Sequence, residues 1–99
     1  MNSFILRIHH EAQEDIDAAY GWYFEQSPDT AQEFLDALEI YYGRIISRPL
    51  AYALYSRRAR RAVMARFPYA IIFQQKIDGI LILALAHAKR NPGYWESRI

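Results

Sequence analysis

The residues that could do chemistry lie in the last third of this 99-residue chain, and they are Arg61, Arg66, His87 and Tyr94. Ribonuclease action needs a base to activate a ribose 2′-hydroxyl, a cation for the phosphorane charge and an acid for the leaving oxygen. Arginine suits phosphate through its planar fork of donors, histidine titrates near neutral pH, and tyrosine donates a proton or stacks on a base. These residue types therefore permit ribonuclease chemistry where two predicted strands meet.

Three of these residues also have a structural interpretation, and the sequence leaves the catalytic and the structural interpretation open. His87 ends an apolar run, where a lone histidine more often serves packing than catalysis. Arg66 precedes the pair Phe67-Pro68 and can simply flank a turn. Tyr94 stands beside Trp95, and the two together suit a packing anchor for the end of the chain.

The histidines do not predict a metal site. His9 and His10 are adjacent, His87 is far away, and the chain has no cysteine. Side chains of adjacent residues in a strand point to opposite sides, so His9 and His10 could not both bind one metal ion from the same face. We interpret them instead as the end of a strand and the start of a helix. There is also no glycine-rich phosphate loop. The sequence therefore predicts no metal and no cofactor.

Charge divides the chain in two. Residues 1–40 contain nine acids and one base, whereas residues 41–99 contain eleven bases and two acids. Two halves of opposite charge attract each other within a domain, or the basic half offers a surface to an acidic partner or polyanion. The pI of about 8.0 lies below the value of about 9 that is typical of nucleic-acid-binding domains. Both interpretations stay open.

Length and composition predict one domain over residues 1–99. The chain is 53% hydrophobic, enough for a modest core without disulfides or metals. No signal-peptide pattern is visible, and the longest apolar run, residues 80–86, is far shorter than the roughly 20 residues of a membrane helix. We expect a soluble cytoplasmic protein.

Hydrophobic periodicity predicts the order strand, helix, helix, strand, strand, strand, over residues 4–8, 11–26, 28–47, 61–67, 69–76 and 80–87. Ser27-Pro28 separates the helices, and Asp78-Gly79 predicts a hairpin. The last strand is apolar throughout, which indicates a central position. The predicted fold is α+β with two layers: a helical hairpin packed on a mainly antiparallel four-stranded sheet.

Two finer predictions concern which side chains point inward. In the strand 61–67, Val63, Ala65 and Phe67 are expected to face the helices, while Met64 faces away, as do Arg58, Arg60 and Arg66. In the first helix, the paired carboxylates Asp15 and Asp17 are interpreted as a solvated helix start rather than an acid–base pair.

Several motifs occur in a fixed order along nearly the whole chain. They are Glu11-Ala12-x-x-Asp15-Ile16, Ala19-Tyr20-x-Trp22-Tyr23, Arg66-Phe67-Pro68-Tyr69, and His87-x-Lys89-Arg90-x-Pro92-x-Tyr94-Trp95-x-x-Arg98. Together with the order βααβββ, they resemble the ParE branch of the RelE/ParE toxins of type II toxin–antitoxin systems. The resemblance implies a small bacterial toxin that a co-expressed antitoxin holds inactive, in a toxin–antitoxin hetero-oligomer.

The resemblance implies two candidate targets. RelE-like toxins cleave messenger RNA in the ribosome, whereas ParE-like toxins inhibit DNA gyrase. RelE-like enzymes rely on several basic residues that often include lysine, and this chain has only Lys76 and Lys89. This difference favours a gyrase inhibitor, with no catalytic residue assigned, and leaves the ribonuclease as the alternative. A non-toxic module that only binds an antitoxin is a second alternative.

The resemblance and the residue types also suggest contact surfaces. Aromatic and arginine side chains are the usual interface anchors, so the end of the chain is the expected target-binding segment, through Lys89, Arg90, Tyr94, Trp95 and Arg98. Deletion of residues 94–99 is expected to remove toxicity from a domain that still folds. The expected antitoxin-binding residues are Arg58, Arg60 and Arg66.

Overall fold

The computed structural model describes residues 5–56 and 58–99. Within these ranges the chain forms two α-helices, five strands and two short 3-10 helices. In chain order they are β1 (Ile5–Ile8), α1 (His10–Gln26), α2 (Pro28–Ser47), a 3-10 helix (Pro49–Ala51), β2 (Ala53–Leu54), β3 (Arg60–Val63), β4 (Tyr69–Lys76), β5 (Gly79–His87) and a 3-10 helix (Glu96–Arg98). The predicted α+β class with a helical hairpin on a mainly antiparallel sheet is confirmed. The sheet gains a fifth strand, because β2 pairs with β3.

The strand order is β1-β5-β4-β3-β2. β1 runs parallel to β5, and the other neighbours are antiparallel. β5 lies between β1 and β4 and is buried on both faces over most of its length, so the predicted interior position is confirmed, although β4 is the middle strand of the five. Gly79, with φ of 155°, begins β5 beside Ile5, and a Cβ there would clash with the Ile5 carbonyl oxygen. Glycine therefore lets β1 pair at this end of β5.

Side-chain caps set the bounds of the helices. His9 precedes α1, and its Nδ1 accepts a hydrogen bond from the Glu11 backbone N–H at 3.1 Å. Ser27 separates the helices as predicted: its N–H donates to the Tyr23 carbonyl at 2.8 Å, and its Oγ accepts from the Thr30 N–H at 3.4 Å. Pro28 then occupies the first turn of α2, where its missing donor costs nothing. The break is short enough to return α2 alongside α1.

The main core lies between the helices and one face of the sheet. Three aromatic rings form its centre near the start of β4: Tyr23 lies 5.2 Å from both Phe34 and Phe67, and Phe34 lies 5.4 Å from Phe67. Tilted and edge-on contacts of this kind stabilise a pair of aromatic rings by more than the burial of their surface alone. The sheet side chains that complete this core are Ala62, Met64, Ile71, Phe73, Ile80, Ile82 and Leu85.

The predicted inward face of β3 was wrong by one residue. Ala62 and Met64 are buried against the helices, whereas Val63 is 62% exposed and Ala65 is also exposed. Phe67 is buried in the helix-side core as expected. The strand ends at Val63, so the inward and outward alternation of its side chains does not continue to Phe67. Counting inward positions back from Phe67 therefore places the preceding residues on the wrong side of the sheet.

The opposite face of the sheet carries a second, smaller core. Trp95, only 1% exposed, packs there with Ala59, Ile72, Leu83 and Ala84. The end of the chain therefore covers the sheet face that the helices leave open. None of the described helices combines the length and apolarity needed to cross a bilayer.

Candidate functional site

A small pocket on the sheet face opposite the helices brings together most of the predicted chemical groups. It has a volume of about 120 Å³ and lies where β4 begins and β5 ends. We call it the arginine pocket, and its polar and aromatic lining consists of Tyr55, Arg61, His87, Arg90, Asn91, Tyr94 and Trp95. Arg61, His87 and Tyr94 thus converge as predicted, but Arg66 does not line the pocket.

Two arginines of this pocket stack on tyrosine rings. The guanidinium carbon of Arg61 lies 4.6 Å from the centroid of Tyr55, and that of Arg90 lies 4.0 Å from the centroid of Tyr94. Among residues 5–56 and 58–99, neither guanidinium has an ion-pair partner or a side-chain hydrogen bond. Stacking through the face leaves the N–H groups at the edge of each guanidinium available to an acceptor.

His87 is held by its own turn. Its Nδ1 accepts a hydrogen bond from the Lys89 backbone N–H at 3.0 Å, and its ring meets Tyr69 edge-on at 5.1 Å. These contacts fix the ring and leave Nε2 as its free nitrogen. They also supply the structural role that the sequence had left open.

Tyr94 is engaged inside the protein. Its hydroxyl lies 3.1 Å from Asp15 Oδ2 and 3.2 Å from the Leu85 carbonyl oxygen. Burial, the Asp15 charge and the Asp15 hydrogen bond raise the pKa of Tyr94 to about 12. A phenol with this pKa is a weaker acid at neutral pH, and its proton already has an acceptor. Tyr94 is therefore poorly suited to protonate a leaving oxygen.

Asp15, Tyr94 and Arg98 form a cluster that we call the edge clasp. Arg98 Nη1 donates to Asp15 Oδ2 at 2.7 Å and to the Leu83 carbonyl at 2.9 Å, while its Nε donates to Glu11 at 3.1 Å. The Arg98 and Asp15 side chains are only 7% and 12% exposed. Burial acts to lower the pKa of Arg98, but the hydrogen bond and charge of Asp15, together with the charges of Tyr94 and Glu11, outweigh it and raise that pKa.

The edge clasp supplies hydrogen-bond partners to backbone groups of β5 that do not pair with a neighbouring strand. β1 pairs with β5 only as far as Ile82. Beyond it, the Leu85 N–H donates to Asp15 at 3.2 Å, and the carbonyls of Leu83 and Leu85 accept from Arg98 and Tyr94. Buried backbone groups need such partners. Three side chains thus take the place of a strand on this edge.

The solvated interpretation of Asp15 was wrong, although that of Asp17 holds. Asp17 is exposed and accepts a hydrogen bond from Gln13 at 2.9 Å. Asp15 instead faces β5 and is the acidic centre of the edge clasp. A signal existed: Glu11 and Asp15 stand four residues apart on one helix face, and Arg98 bonds to both.

The five predicted target-binding residues fall into two groups. Lys89 and Arg90 are exposed, whereas Trp95 is buried, Arg98 is held in the edge clasp and Tyr94 is partly buried. The expectation that residues 94–99 can be deleted from a folded domain conflicts with this packing. Their removal would expose the second core and leave the edge of β5 without its hydrogen-bond partners.

The three predicted antitoxin-binding residues do not form one patch. Arg58 is exposed in the segment before β3. Arg60 is partly buried, and its Nη1 donates to the Tyr52 carbonyl at 2.7 Å. Arg66 forms an ion pair with Glu33 of α2, so it lies on the helix side of the molecule.

A wider groove adjoins the arginine pocket. It has a volume of about 730 Å³ and separates α1 from the end of β5 and the start of β4. Trp22, 58% exposed, and Leu85 contribute to its mainly apolar walls. We call it the α1 groove. His87 and Arg90 line both the α1 groove and the arginine pocket, so the two cavities lie next to each other at these side chains.

The histidines at the start of α1 have structural contacts. The rings of His9 and His10 stack at 4.6 Å, and His9 caps the helix. The described part of the chain contains no group of three histidine, cysteine or acidic side chains placed to hold a metal ion.

Comparison with known proteins defines the family. The family described as "ParE toxin of type II toxin-antitoxin system, parDE" matches residues 6–92. Toxin ParE2 of Mycobacterium tuberculosis, in strains CDC 1551 and H37Rv, is 29% identical over 98 residues, which cover 95% of this chain and 90% of that protein. A solved structure described as the chromosomal ParDE TA system from P. aeruginosa shares the fold, with a TM-score of 0.73 at 20% identity over 85% of this chain and 95% of that chain. The chain therefore belongs to the ParE toxin family of type II toxin–antitoxin systems.

Proposed function

We propose that this ParE-family toxin stops growth by binding DNA gyrase and that a cognate antitoxin neutralises it. The observation that carries this choice over RNA cleavage is the engagement of Tyr94 with Asp15 and Leu85. The candidate acid is withdrawn from any substrate, whereas an inhibitor that acts by binding needs no proton donor. Such a target would place the protein in the cytoplasm.

The other members of the candidate ribonuclease set also support binding over catalysis. Arg66 is paired with Glu33 away from the arginine pocket. His87 and Arg61 share the pocket, which supplies a cation and an imidazole but no matched acid. A ribonuclease would need base, cation and acid around one phosphate. The described residues provide this arrangement only in part.

For the gyrase contact we propose Lys89 and Arg90, which are exposed at the end of β5. Tyr94, Trp95 and Arg98 serve the same contact by positioning this segment. Arg90 stacks on Tyr94 at 4.0 Å, and Arg98 binds Asp15. A contact surface supported in this way loses less side-chain entropy on binding.

For the antitoxin we propose an acidic segment that contacts the basic half of the chain. The structural relative described as a ParDE system pairs a toxin of the same fold with its antitoxin. Arg58 and Arg60 remain proposed contacts, together with Arg66, which would exchange Glu33 for an acid of the antitoxin. Charge complementarity of this kind accelerates association and selects the partner.

Two assays with purified protein test the proposed target. We expect inhibition of gyrase supercoiling with accumulation of linear DNA, and no ribosome-dependent cleavage of messenger RNA. Replacement of Lys89 and Arg90 by alanine should weaken gyrase inhibition at least tenfold, a typical loss for interface anchors. Arg44→Ala, an exposed arginine of α2, is the matched control. Messenger cleavage without gyrase inhibition would replace the proposal with the ribonuclease.

Expression in a bacterial host separates a toxin from a non-toxic module. We expect growth arrest on induction of this chain and recovery on co-expression of its antitoxin. Soluble expression without arrest would support a module that only binds antitoxin.

A further inference from the structure

The arginine pocket collects positive charge that nothing in residues 5–56 and 58–99 neutralises. The charged residues that line it are Arg61 and Arg90, and no aspartate or glutamate lines it. The tyrosine rings at 4.6 and 4.0 Å orient the two guanidinium groups before any ligand arrives. The pocket thus presents oriented donors to an anion.

The lining of the pocket suits the end of an anionic group. Its volume of about 120 Å³ is roughly a sixth of the 730 Å³ of the α1 groove. Ala70, Ile72 and Ala86 contribute small or apolar lining, and Trp95 adds an aromatic wall. Arg61 and Arg90 are themselves exposed, so an anion from solution can reach their N–H groups and form charge-assisted hydrogen bonds with them. A carboxylate or a phosphate group supplies the acceptors that these donors need.

The surroundings of the pocket favour the carboxylate. A phosphodiester continues on both sides of its phosphate, whereas a carboxylate ends a side chain and can enter a small pocket end-on. The adjoining α1 groove is mainly apolar, with Trp22 and Leu85 in its walls, and it also carries Glu14 and Asp15. An apolar groove with two acidic residues suits the side chains of a peptide better than a nucleic-acid backbone.

We infer that the arginine pocket binds the carboxylate of an aspartate or glutamate side chain on a peptide segment of a protein partner. Arg61 and Arg90 donate to this carboxylate, and the apolar residues of the same segment lie in the α1 groove against Trp22. His87, which lines both cavities, marks the point where the peptide passes from groove to pocket.

A pair of synthetic peptides tests the inference on the full chain. Both consist of leucine, alanine and serine around one central residue, which is glutamate in one peptide and glutamine in the other. By calorimetry we expect the glutamate peptide to bind at least about tenfold more tightly, the usual effect of charge-assisted hydrogen bonds. Arg61→Gln or Arg90→Gln should abolish this preference. Arg44→Gln should keep it, although Arg44 also lies on a tyrosine, 5.3 Å from the Tyr41 centroid.

Other outcomes overturn the inference. They are equal affinity for the two peptides, no binding of either, or a preference that survives Arg61→Gln and Arg90→Gln in protein with an unchanged melting temperature. A thymidine oligonucleotide that binds more tightly than the glutamate peptide at equal ionic strength would reassign the pocket to phosphate. Trp22→Ala should weaken both peptides alike and leave their ratio unchanged. Because the assay contains neither gyrase nor antitoxin, its failure leaves the proposed function intact.

Discussion

At the scale of single residues, Asp15 is where the contacts of the chain's end converge. Its carboxylate accepts hydrogen bonds from Arg98 at 2.7 Å, from Tyr94 at 3.1 Å and from the Leu85 N–H at 3.2 Å. A buried charged pair is a weak source of stability by itself, but removal of one partner leaves the other charge buried and unpaired. The cost of mutation at Asp15 therefore exceeds the net value of the pair.

Asp15→Ala should lower the free energy of unfolding by about 3 kcal/mol, because it leaves Arg98 buried without its main partner. Urea unfolding at neutral pH measures this loss. Asp17→Ala, two positions along α1, removes an exposed carboxylate bonded only to Gln13 and should change stability by less than about 0.5 kcal/mol. Similar losses in the two variants would show that the edge clasp does not hold the tail.

Tyr94→Phe should cost about 1 kcal/mol at neutral pH, the usual value of a hydrogen bond to a buried acceptor. The substitution should also change how the free energy of unfolding declines at alkaline pH. Because the folded pKa of about 12 exceeds the unfolded value of about 10, the unfolded chain releases its proton first, and folding loses stability as pH rises from 10 to 12. Without the hydroxyl this contribution to the decline is absent.

Urea unfolding between about pH 10 and 12 measures this difference, with Tyr55→Phe as the control that keeps Tyr94 intact. Parallel stability curves for wild type and Tyr94→Phe would contradict the prediction. The helical spacing of Glu11 and Asp15 shows that they share a helix face, but it does not identify their common partner. Arg98 lies 83 residues from Asp15, and local patterns carry no information about so distant a partner.

At the scale of elements, β5 and the end of the chain depend on each other. β1 covers the edge of β5 only to Ile82, and the edge clasp covers the part that follows. Trp95 packs on the face of the sheet that the helices leave open. The last residues therefore complete the sheet on an edge and on a face.

Trp95→Ala should lower the free energy of unfolding by about 4 kcal/mol, because it opens a cavity in the smaller core. This is a large part of the ~5–15 kcal/mol that stabilises a typical domain. Thermal and urea unfolding measure the loss. Trp22→Ala, which removes a 58% exposed side chain, should cost less than about 1 kcal/mol and serves as the control. Equal costs would mean that Trp95 is a surface residue in solution.

The elements differ in how far the sequence predicts them. The helices, their Ser27-Pro28 break and the interior position of β5 follow from periodicity and from proline chemistry, and all are confirmed. The prediction for the inward face of β3 was wrong because the strand ends at Val63. In so short a strand, the two-residue alternation of side chains does not show by itself which set points inward. β2, with two residues, is too short to carry a pattern and forms only because β3 lies beside it.

At the scale of the whole molecule, the opposite charges of the acidic and basic halves of the chain serve two purposes. Arg98 and Arg66 of the basic half pair with Asp15 and Glu33 of the acidic half, which supports the view that the halves attract each other. Arg61 and Arg90 point to a different use, since the described residues leave them without a carboxylate. Composition alone could not assign each arginine to one group, because the assignment depends on which side of the sheet it occupies.

The contacts between the layers predict that the chain unfolds as one domain. The helix-side core and the smaller core share the sheet between them, and the edge clasp joins α1 to the end of the chain. The chain has two tryptophans, so in Trp22→Phe the fluorescence reports only the buried Trp95. Circular dichroism reports mainly the helices. We expect the two urea transitions of this variant to coincide, as they do for a two-state domain. A fluorescence transition at lower urea would instead show that the tail detaches before the helices unfold.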